Sequence, residues 1–346
     1  MLSPIGEQAL DCCIQNGRAL LKFLSTNDVK RPESHQCGPL LPKEGRELFS
    51  PHPPVRGENK DSHPSILWWD GIKTASRVVW YGASKREYRL TGFQRGFPHL
   101  TTLDIGSLFV LVPTSDRHDS FEAFIVDLDD DIDQLFEALG VEVVHPWGGV
   151  YRSSAEVTLE SEGDCVAISL RKFATQQNEF PDTATMSKVT MDIVERCYSD
   201  FANWKADKQL LELHQREYEL FRLIEQVIFG SEVRDRVFAT VDDFLSAARP
   251  LQNRRMSRAG RALENHVGTL LHRAGIPFDA RSAIKGHPDV VIPSSDAYSD
   301  DKFPVDKLFV MGIKTSCRER WRQVVEEAPR VKRKFLLTLQ QGVSAN

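Results

Sequence analysis

Short apolar runs separated by turn-forming residues dominate the first 130 residues. The runs are rich in β-branched and aromatic residues, which favour strands over helices. Their positions are 66–69, 78–81, 108–112 and 123–126. One helix is predicted between them, from Asp131 to Leu139 and closed by Gly140, and residues 43–64 are expected to form a loop. Repeated short strands with little helix predict a β-barrel or a β-sandwich.

The second half of the chain changes to a helical pattern. Apolar residues recur at helical spacing between 208 and 229, and Gly230 is the expected stop. A second helix is predicted over 258–274, with Ser257 as its N-cap and Gly275 at its end. After these two helices, the apolar pattern indicates strands near 289–292, 309–314 and 335–339 and a helix over 318–328.

These patterns predict two domains of different class. The N-terminal domain, 1–170, is expected to be mainly β, and the C-terminal domain, 191–346, is expected to be α/β because helices flank a small sheet. The segment 171–190 includes a stretch without periodicity and is the expected linker.

Composition is that of an ordinary soluble protein, with 41% hydrophobic and 27% charged residues. No apolar run approaches the roughly 20 residues that a membrane-spanning helix needs, and the N-terminus lacks the pattern of a signal peptide. We therefore expect a cytoplasmic protein without a membrane partner. The six cysteines form no Cys-x-x-Cys pair, so reduced thiols are expected and a zinc site is not.

Charge is distributed unevenly along the chain. The formal net charge is −5, yet residues 251–334 hold 17 Lys and Arg against 10 Asp and Glu. A basic region within an acidic protein indicates a local nucleic-acid surface. The alternative is a solvated basic face without a partner.

Asp289 and Lys314 are the first candidates for chemistry, because each lies at the end of a predicted strand. Phosphodiester hydrolysis needs an activated water and neutralisation of the phosphoryl charge. A carboxylate that holds Mg²⁺, with a Lys beside it, supplies both. The alternative is an Asp in a turn and a Lys on the surface, since a Pro-Asp…Lys pair also recurs by chance.

Three further charged groups extend this candidate site. Glu327 lies 13 residues after Lys314, on a predicted helix face shared with Arg320. Glu264, on the helix predicted over 258–274, is a third carboxylate that could point to the site, or else an exposed helix residue. The triplet 318–320, Arg-Glu-Arg, is suited to C·G pairs, because Arg donates to guanine and Glu accepts from cytosine.

Several segments closely resemble the EcoRII-type restriction endonucleases. The resemblance is strong in the last hundred residues and moderate before residue 100. The segments that carry it are 24–28, 34–38, 89–96, 254–264, 288–289, 303–305, 314–323 and 337–344. It implies a B3-like pseudobarrel as the N-terminal effector domain and a PD-(D/E)XK nuclease fold, apparently truncated at its C-terminus, as the catalytic domain.

The resemblance also implies roles for the candidate residues. The catalytic set would be Asp289, Lys314 and Glu327, with Glu264 in support and Mg²⁺ held by Asp289 and Glu327. The family's usual second acid, two residues before the Lys, is replaced by Gly312. The bases would be read by Arg318, Glu319 and Arg320. A base-flipping pocket would contain Tyr218, with His214 where the family has Arg.

For the N-terminal domain, the resemblance implies binding of a second, effector copy of the DNA site. The expected contacts are His35, Lys85, Glu87, Arg89 and Asn27. Expected partners are double-stranded DNA at a CCWGG-like site, a second subunit in a homodimer and a companion cytosine methyltransferase. The alternatives are a truncated, inactive remnant that only binds DNA and a monomeric nickase.

Overall fold

The chain forms two compact units in the computed structural model. Unit 1 comprises residues 1–157 with 340–346, and unit 2 comprises residues 158–339. The residues that the structure describes are 2–30, 38–93, 96–141, 148–153, 164–235, 237–280, 284, 287–315 and 328–340, without the side chains of 231–235, 256 and 259. The predicted limits, with a first domain ending at 170 and a linker at 171–190, remain a prediction.

The α-helices and the strands have the following bounds. The α-helices are α1 Pro4–Asn16, α2 Arg46–Phe49, α3 Asp129–Leu139, α4 Cys165–Ala174, α5 Thr183–Cys197, α6 Ala206–Asp235, α7 Val241–Arg273 and α8 Ser295–Ser299. The strands are β1 Arg18–Phe23, β2 Leu40–Leu41, β3 Asn59–Ser62, β4 Ser65–Trp68, β5 Lys73–Ala75, β6 Arg77–Tyr81, β7 Tyr88–Thr91, β8 Leu108–Pro113, β9 Ser120–Val126, β10 Gly149–Arg152, β11 Asp279–Ala280, β12 Val290–Ile292, β13 Phe309–Lys314 and β14 Phe335–Thr338.

Unit 1 contains two sheets among its described residues. The larger has the strand order β10-β1-β8-β9-β4-β5, and the smaller has the order β2-β7-β6-β3. Strand β8 of the larger sheet is buried on both faces. Phe109 and Leu111 of β8 belong to a core shared with β6 and β7, whereas Leu108 and Val110 pack with residues of α1 and α3. Burial on both faces explains why β8 reads as a continuous apolar run.

The four strands predicted in the first 130 residues are confirmed as β4, β6, β8 and β9. The helix predicted from Asp131 is confirmed as α3, and Gly140 closes it with a φ of 61°. The loop expected over 43–64 is wrong in part, because α2 and β3 lie within it. The pattern there was hidden by polar residues, since β3 carries no apolar side chain.

Gly38 brings the start of the smaller sheet against β7. Its φ is 139°, and a Cβ at this position would lie 1.8 Å from the backbone oxygen of Leu90. Only glycine fits such a close approach of two backbones. Gly38 therefore fixes where residues 38–41 join the sheet.

Most of the helical residues of unit 2 belong to α4, α5, α6 and α7. A disulfide joins Cys165 at the start of α4 to Cys197 at the end of α5. The expectation of reduced thiols is therefore wrong for this pair, because the two helices bring cysteines together that are 32 residues apart in sequence. Cys12 and Cys13 of unit 1 are free and buried, and burial raises the pKa of the Cys12 thiol to about 12.

The two long helices differ from their predicted limits. Helix α6 continues through Gly230 to Asp235, so the predicted stop is wrong. Helix α7 begins at Val241, with Thr240 as its N-cap, so the N-cap predicted at Ser257 is also wrong. The end is confirmed, since α7 finishes at Arg273 and Gly275 follows with a φ of 67°.

A four-stranded sheet with the order β11-β12-β13-β14 completes unit 2 within the described residues. Strands β12 and β13 are antiparallel, and β13 and β14 are parallel. The strands predicted near 289–292, 309–314 and 335–339 are thus confirmed, whereas the helix predicted over 318–328 lies almost wholly outside the described residues. Among the described helices, none is long and apolar enough to cross a membrane.

Candidate catalytic and DNA-binding sites

Asp289 and Lys314 lie side by side at one end of β12 and β13, the two central strands of the unit 2 sheet. The pairing of β12 with β13 sets Val290 opposite Met311, which brings Asp289, one residue earlier, close to the end of β13. The Asp289 Oδ2 atom accepts hydrogen bonds from the Lys314 Nζ at 2.9 Å and from the Ile313 backbone N–H at 2.6 Å. Both side chains keep part of their surface open to solvent. A carboxylate and an ammonium group are therefore held together at an accessible site.

Helix α7 packs against these two strands. Leu263 and Val267 of α7 pack in one apolar cluster with Val290 and Ile313, which are the neighbours of Asp289 and Lys314 in sequence. Burial of such side chains contributes roughly 1.5–3 kcal/mol each. Glu264 follows Leu263 on the same helix and is half-buried. The predicted supporting acid thus belongs to the element on which the two strands pack.

The remaining predicted nuclease residues lie outside the described residues. They are Glu327 and the triplet Arg318, Glu319 and Arg320. Within the described part of the chain, no group of three or more His, Cys, Asp or Glu side chains is arranged to hold a metal ion. Asp289 supplies the hard oxygen ligands that Mg²⁺ prefers, so its chemistry fits that cation, with the second predicted ligand at Glu327.

The predicted base-flipping residues lie on α6, where it packs against α7. His214 is fully buried, and Tyr218 follows it by one turn and is half-buried. The Arg258 guanidinium of α7 lies over two aromatic rings of α6, at 4.8 Å from the Tyr218 centroid and 5.2 Å from that of Phe221. Cation–π contacts of this kind hold a ring in place.

A buried ionisable pair between α6 and α7 was not predicted from the sequence. The Glu217 Oε2 and His266 Nε2 atoms lie 2.7 Å apart, and both residues are fully buried. A signal was available, since Glu217 lies four residues after Leu213 and four before Phe221, and therefore on the apolar stripe of its helix. Charged residues are almost never buried in this way unless they are paired.

The predicted effector contacts in unit 1 separate into exposed and buried groups. Lys85 and Asn27 are exposed, and Glu87 is half-buried. Arg89 is only 9% exposed. His35 lies outside the described residues.

Arg89 belongs to a buried network of charges. Its Nη1 donates to the backbone oxygens of Asn27 and Gly38, each at 3.0 Å, and its Nε and Nη2 donate to Glu87 Oε1. Close by, the Lys22 Nζ lies 2.6 Å from Asp28 Oδ1. Burial lowers the pKa of the Lys22 ammonium, and the Asp28 carboxylate opposes this by raising it.

Comparison with known families matches both ends of the chain. Residues 15–156 match the family model described as restriction endonuclease EcoRII, N-terminal. Residues 221–346 match the model described as EcoRII C terminal. The first match ends at residue 156 and the second begins at residue 221, so the two do not overlap.

Two curated proteins are similar to the chain. The type II restriction enzyme EcoRII of Escherichia coli is 28% identical over an alignment that covers 99% of this chain and 87% of that protein. The type II restriction enzyme SsoII of Shigella sonnei is 33% identical over 102 residues, which are 26% of this chain and 32% of that protein. Among solved structures, the restriction endonuclease PspGI–substrate DNA complex is 17% identical, with a TM-score of 0.39, and covers 46% of this chain and 69% of that one.

Proposed function

The chain belongs to the EcoRII-type restriction endonucleases and is a type II site-specific DNA nuclease, and from this premise we propose that it cleaves double-stranded DNA at a CCWGG-like site with Mg²⁺. We propose further that its N-terminal unit is a B3-like effector domain and that its catalytic unit has a PD-(D/E)XK nuclease fold. The observation that carries the proposal is the contact between Asp289 and Lys314 on neighbouring strands.

The catalytic set consists of Asp289, Lys314 and Glu327, with Glu264 in support. Asp289 and Glu327 would hold the Mg²⁺ ion. When bound, this ion supplies charge neutralisation at the phosphoryl oxygens and lowers the pKa of a water. The Lys314 ammonium, held 2.9 Å from Asp289 Oδ2, orients the attacking water and adds positive charge where negative charge develops. The Ile313 N–H keeps the carboxylate in its orientation.

Recognition of the cleaved site is assigned to two groups of residues. Arg318, Glu319 and Arg320 read the C·G pairs, because their donors and acceptor complement guanine and cytosine edges. Tyr218 holds the extruded central bases, with His214 one turn before it. Stacking on an aromatic ring contributes roughly 1–3 kcal/mol per base, and the Arg258 guanidinium keeps the Tyr218 ring in position.

Regulation is assigned to the N-terminal unit, which would bind a second copy of the site as effector DNA. The sequence predicts His35, Lys85, Glu87, Arg89 and Asn27 at this DNA; of these, Lys85 and Asn27 are exposed and Arg89 is buried. A homodimer suits a nearly palindromic site, because the twofold axes of protein and DNA then coincide. A companion cytosine methyltransferase, in the same cytoplasm, would protect the host's own sites.

The test compares two aspartate variants of the full chain. Asp289→Ala removes the proposed metal ligand, whereas Asp301→Ala removes an exposed carboxylate a short distance along the chain and is the matched control. With Mg²⁺ and a duplex that contains one CCWGG site plus an effector duplex, we expect cleavage by the wild type and by Asp301→Ala only. DNA retardation should be retained by all three.

Two results would contradict the proposal. Cleavage by Asp289→Ala at the wild-type rate would refute the catalytic assignment. Retardation of DNA without cleavage by any of the three proteins would favour the inactive DNA-binding remnant.

For base reading, Arg320→Ala should lose about 1–3 kcal/mol of discrimination at one base pair. Equal weakening on all sequences would instead indicate a phosphate contact.

A further inference from the structure

We propose that Asp28 and Arg89 form an internal clasp that shapes the effector-DNA loop of residues 24–30, and that Arg89 is a positioning residue rather than a DNA contact. This inference rests on the proposed effector function of the N-terminal unit. It concerns residues 24–30 and 38–40, which the clasp holds against each other.

Asp28 organises the loop through both of its carboxylate oxygens. Its Oδ2 accepts from the backbone N–H of Ser25 at 2.8 Å and from the Ser25 hydroxyl at 2.6 Å. Its Oδ1 accepts from the Leu40 N–H at 2.8 Å and from the Lys22 ammonium at 2.6 Å. One buried carboxylate thus joins the loop to β1 on one side and to the start of β2 on the other.

Arg89 closes the same loop from β7. Its Nη1 binds the carbonyl oxygens of Asn27 and Gly38 together, so one nitrogen spans the two backbone segments. Its other two nitrogens point to Glu87. The planar guanidinium suits such a fixed set of acceptors, which a lysine ammonium does not reproduce. With all three nitrogens engaged and 9% of the residue exposed, Arg89 is not arranged to meet a phosphate.

The clasp is electrically balanced, which distinguishes it from a phosphate-binding patch. The cluster contains two basic groups, Lys22 and Arg89, and two acidic groups, Asp28 and Glu87, and Lys22 interacts electrostatically with the other three. A cluster with equal numbers of acidic and basic groups does not attract DNA by its net charge. Lys85, which is also a predicted effector contact, is exposed. The clasp therefore acts on DNA through the shape of the loop.

Salt dependence separates a positioning residue from a phosphate contact. Each phosphate contact contributes about 0.9 to the slope of the logarithm of the binding constant against the logarithm of salt concentration. We would measure binding of a site-containing duplex by the full chain, in Ca²⁺ to prevent cleavage, for Arg89→Met, Arg89→Lys and Lys85→Met. All three changes lie in unit 1, so a difference from the wild type reports on that unit.

The clasp predicts one result for the two Arg89 variants and another for Lys85→Met. Arg89→Met and Arg89→Lys should each weaken DNA binding about tenfold or more, because the loop of residues 24–30 loses a charged hydrogen bond that fixes its shape. The salt slope should be unchanged. Lys85→Met, the matched control, should lower the slope by about 0.9. Circular dichroism at the assay temperature shows whether each Arg89 variant is folded. If Arg89→Met does not fold, Arg89→Lys, which keeps the charge, provides the test.

Three outcomes would overturn the inference. If Arg89→Met lowers the salt slope as Lys85→Met does, Arg89 contacts a phosphate. If Arg89→Lys binds as the wild type does, a point charge suffices and the clasp is not needed. If the wild type shows no binding assignable to unit 1, the proposed effector function fails and the inference fails with it. The first two outcomes leave the proposed function standing.

Discussion

The buried pair of Glu217 and His266 allows a quantitative test of how α7 is held against α6. His266→Leu leaves the Glu217 carboxylate at zero exposure without its partner 2.7 Å away. Removal of one partner of a buried pair costs about 3–5 kcal/mol, because the remaining polar group stays in the interior without its contact. We therefore expect the free energy of unfolding of unit 2 to fall by that amount.

The double variant Glu217→Met/His266→Leu provides the control for this cost. It removes both polar groups and replaces them with apolar side chains of similar length. Such replacements are often neutral or even stabilising. The double variant should therefore unfold within about 1 kcal/mol of the wild type, and the coupling between the two sites should be large.

Urea unfolding followed by far-ultraviolet circular dichroism is the appropriate assay. Most of the described helical residues, in α4 to α7, belong to unit 2, so the helical signal reports on this unit. If His266→Leu shifts the free energy of unfolding by less than about 1 kcal/mol, the buried pair contributes no more than an exposed surface pair does. A double variant as unstable as the sum of His266→Leu and Glu217→Met, each measured alone, would also argue against a contact between the two side chains.

Further predictions concern local features of both units. Reduction of the Cys165–Cys197 disulfide should lower stability by about 3–4 kcal/mol, by loop-closure entropy; urea midpoints with and without dithiothreitol should differ for the wild type and coincide for Cys165→Ser. Gly38→Ala should destabilise unit 1 by at least about 1–3 kcal/mol, because its φ is unfavourable and its Cβ meets the Leu90 oxygen; an unchanged melting temperature would contradict this. The fragment 164–346 should cut single-site DNA faster than the full chain, because we propose that unit 1 restrains cleavage until effector DNA binds; equal rates would refute such restraint.

Much of the fold follows from local pattern. Strands β8 and β9 were predictable because both faces of their sheet are buried, which gives continuous apolar runs. The predicted stop at Gly230 failed because one glycine inside a helix costs only about 1 kcal/mol and does not by itself end the helix. The predicted N-cap at Ser257 failed because α7 already begins at Val241, where Thr240 forms a capping box.

The sites were predictable only in part. Asp289 and Lys314 could be proposed because both lie at strand ends, and the structure brings them into contact. The inward orientation of Arg89 could not be predicted, because a sequence gives no sign of which backbone oxygens a guanidinium will meet. The partnership of Glu217 with His266 also depends on how α6 and α7 pack, which local periodicity does not specify.

The most direct measurement of the central claim is incubation of the protein with Mg²⁺ and plasmid DNA that carries several CCWGG sites, followed by sequencing of the fragment ends. We expect discrete double-strand breaks at those sites, and no breaks when EDTA replaces Mg²⁺. Intact plasmid with retarded mobility, or breaks at unrelated positions, would contradict it.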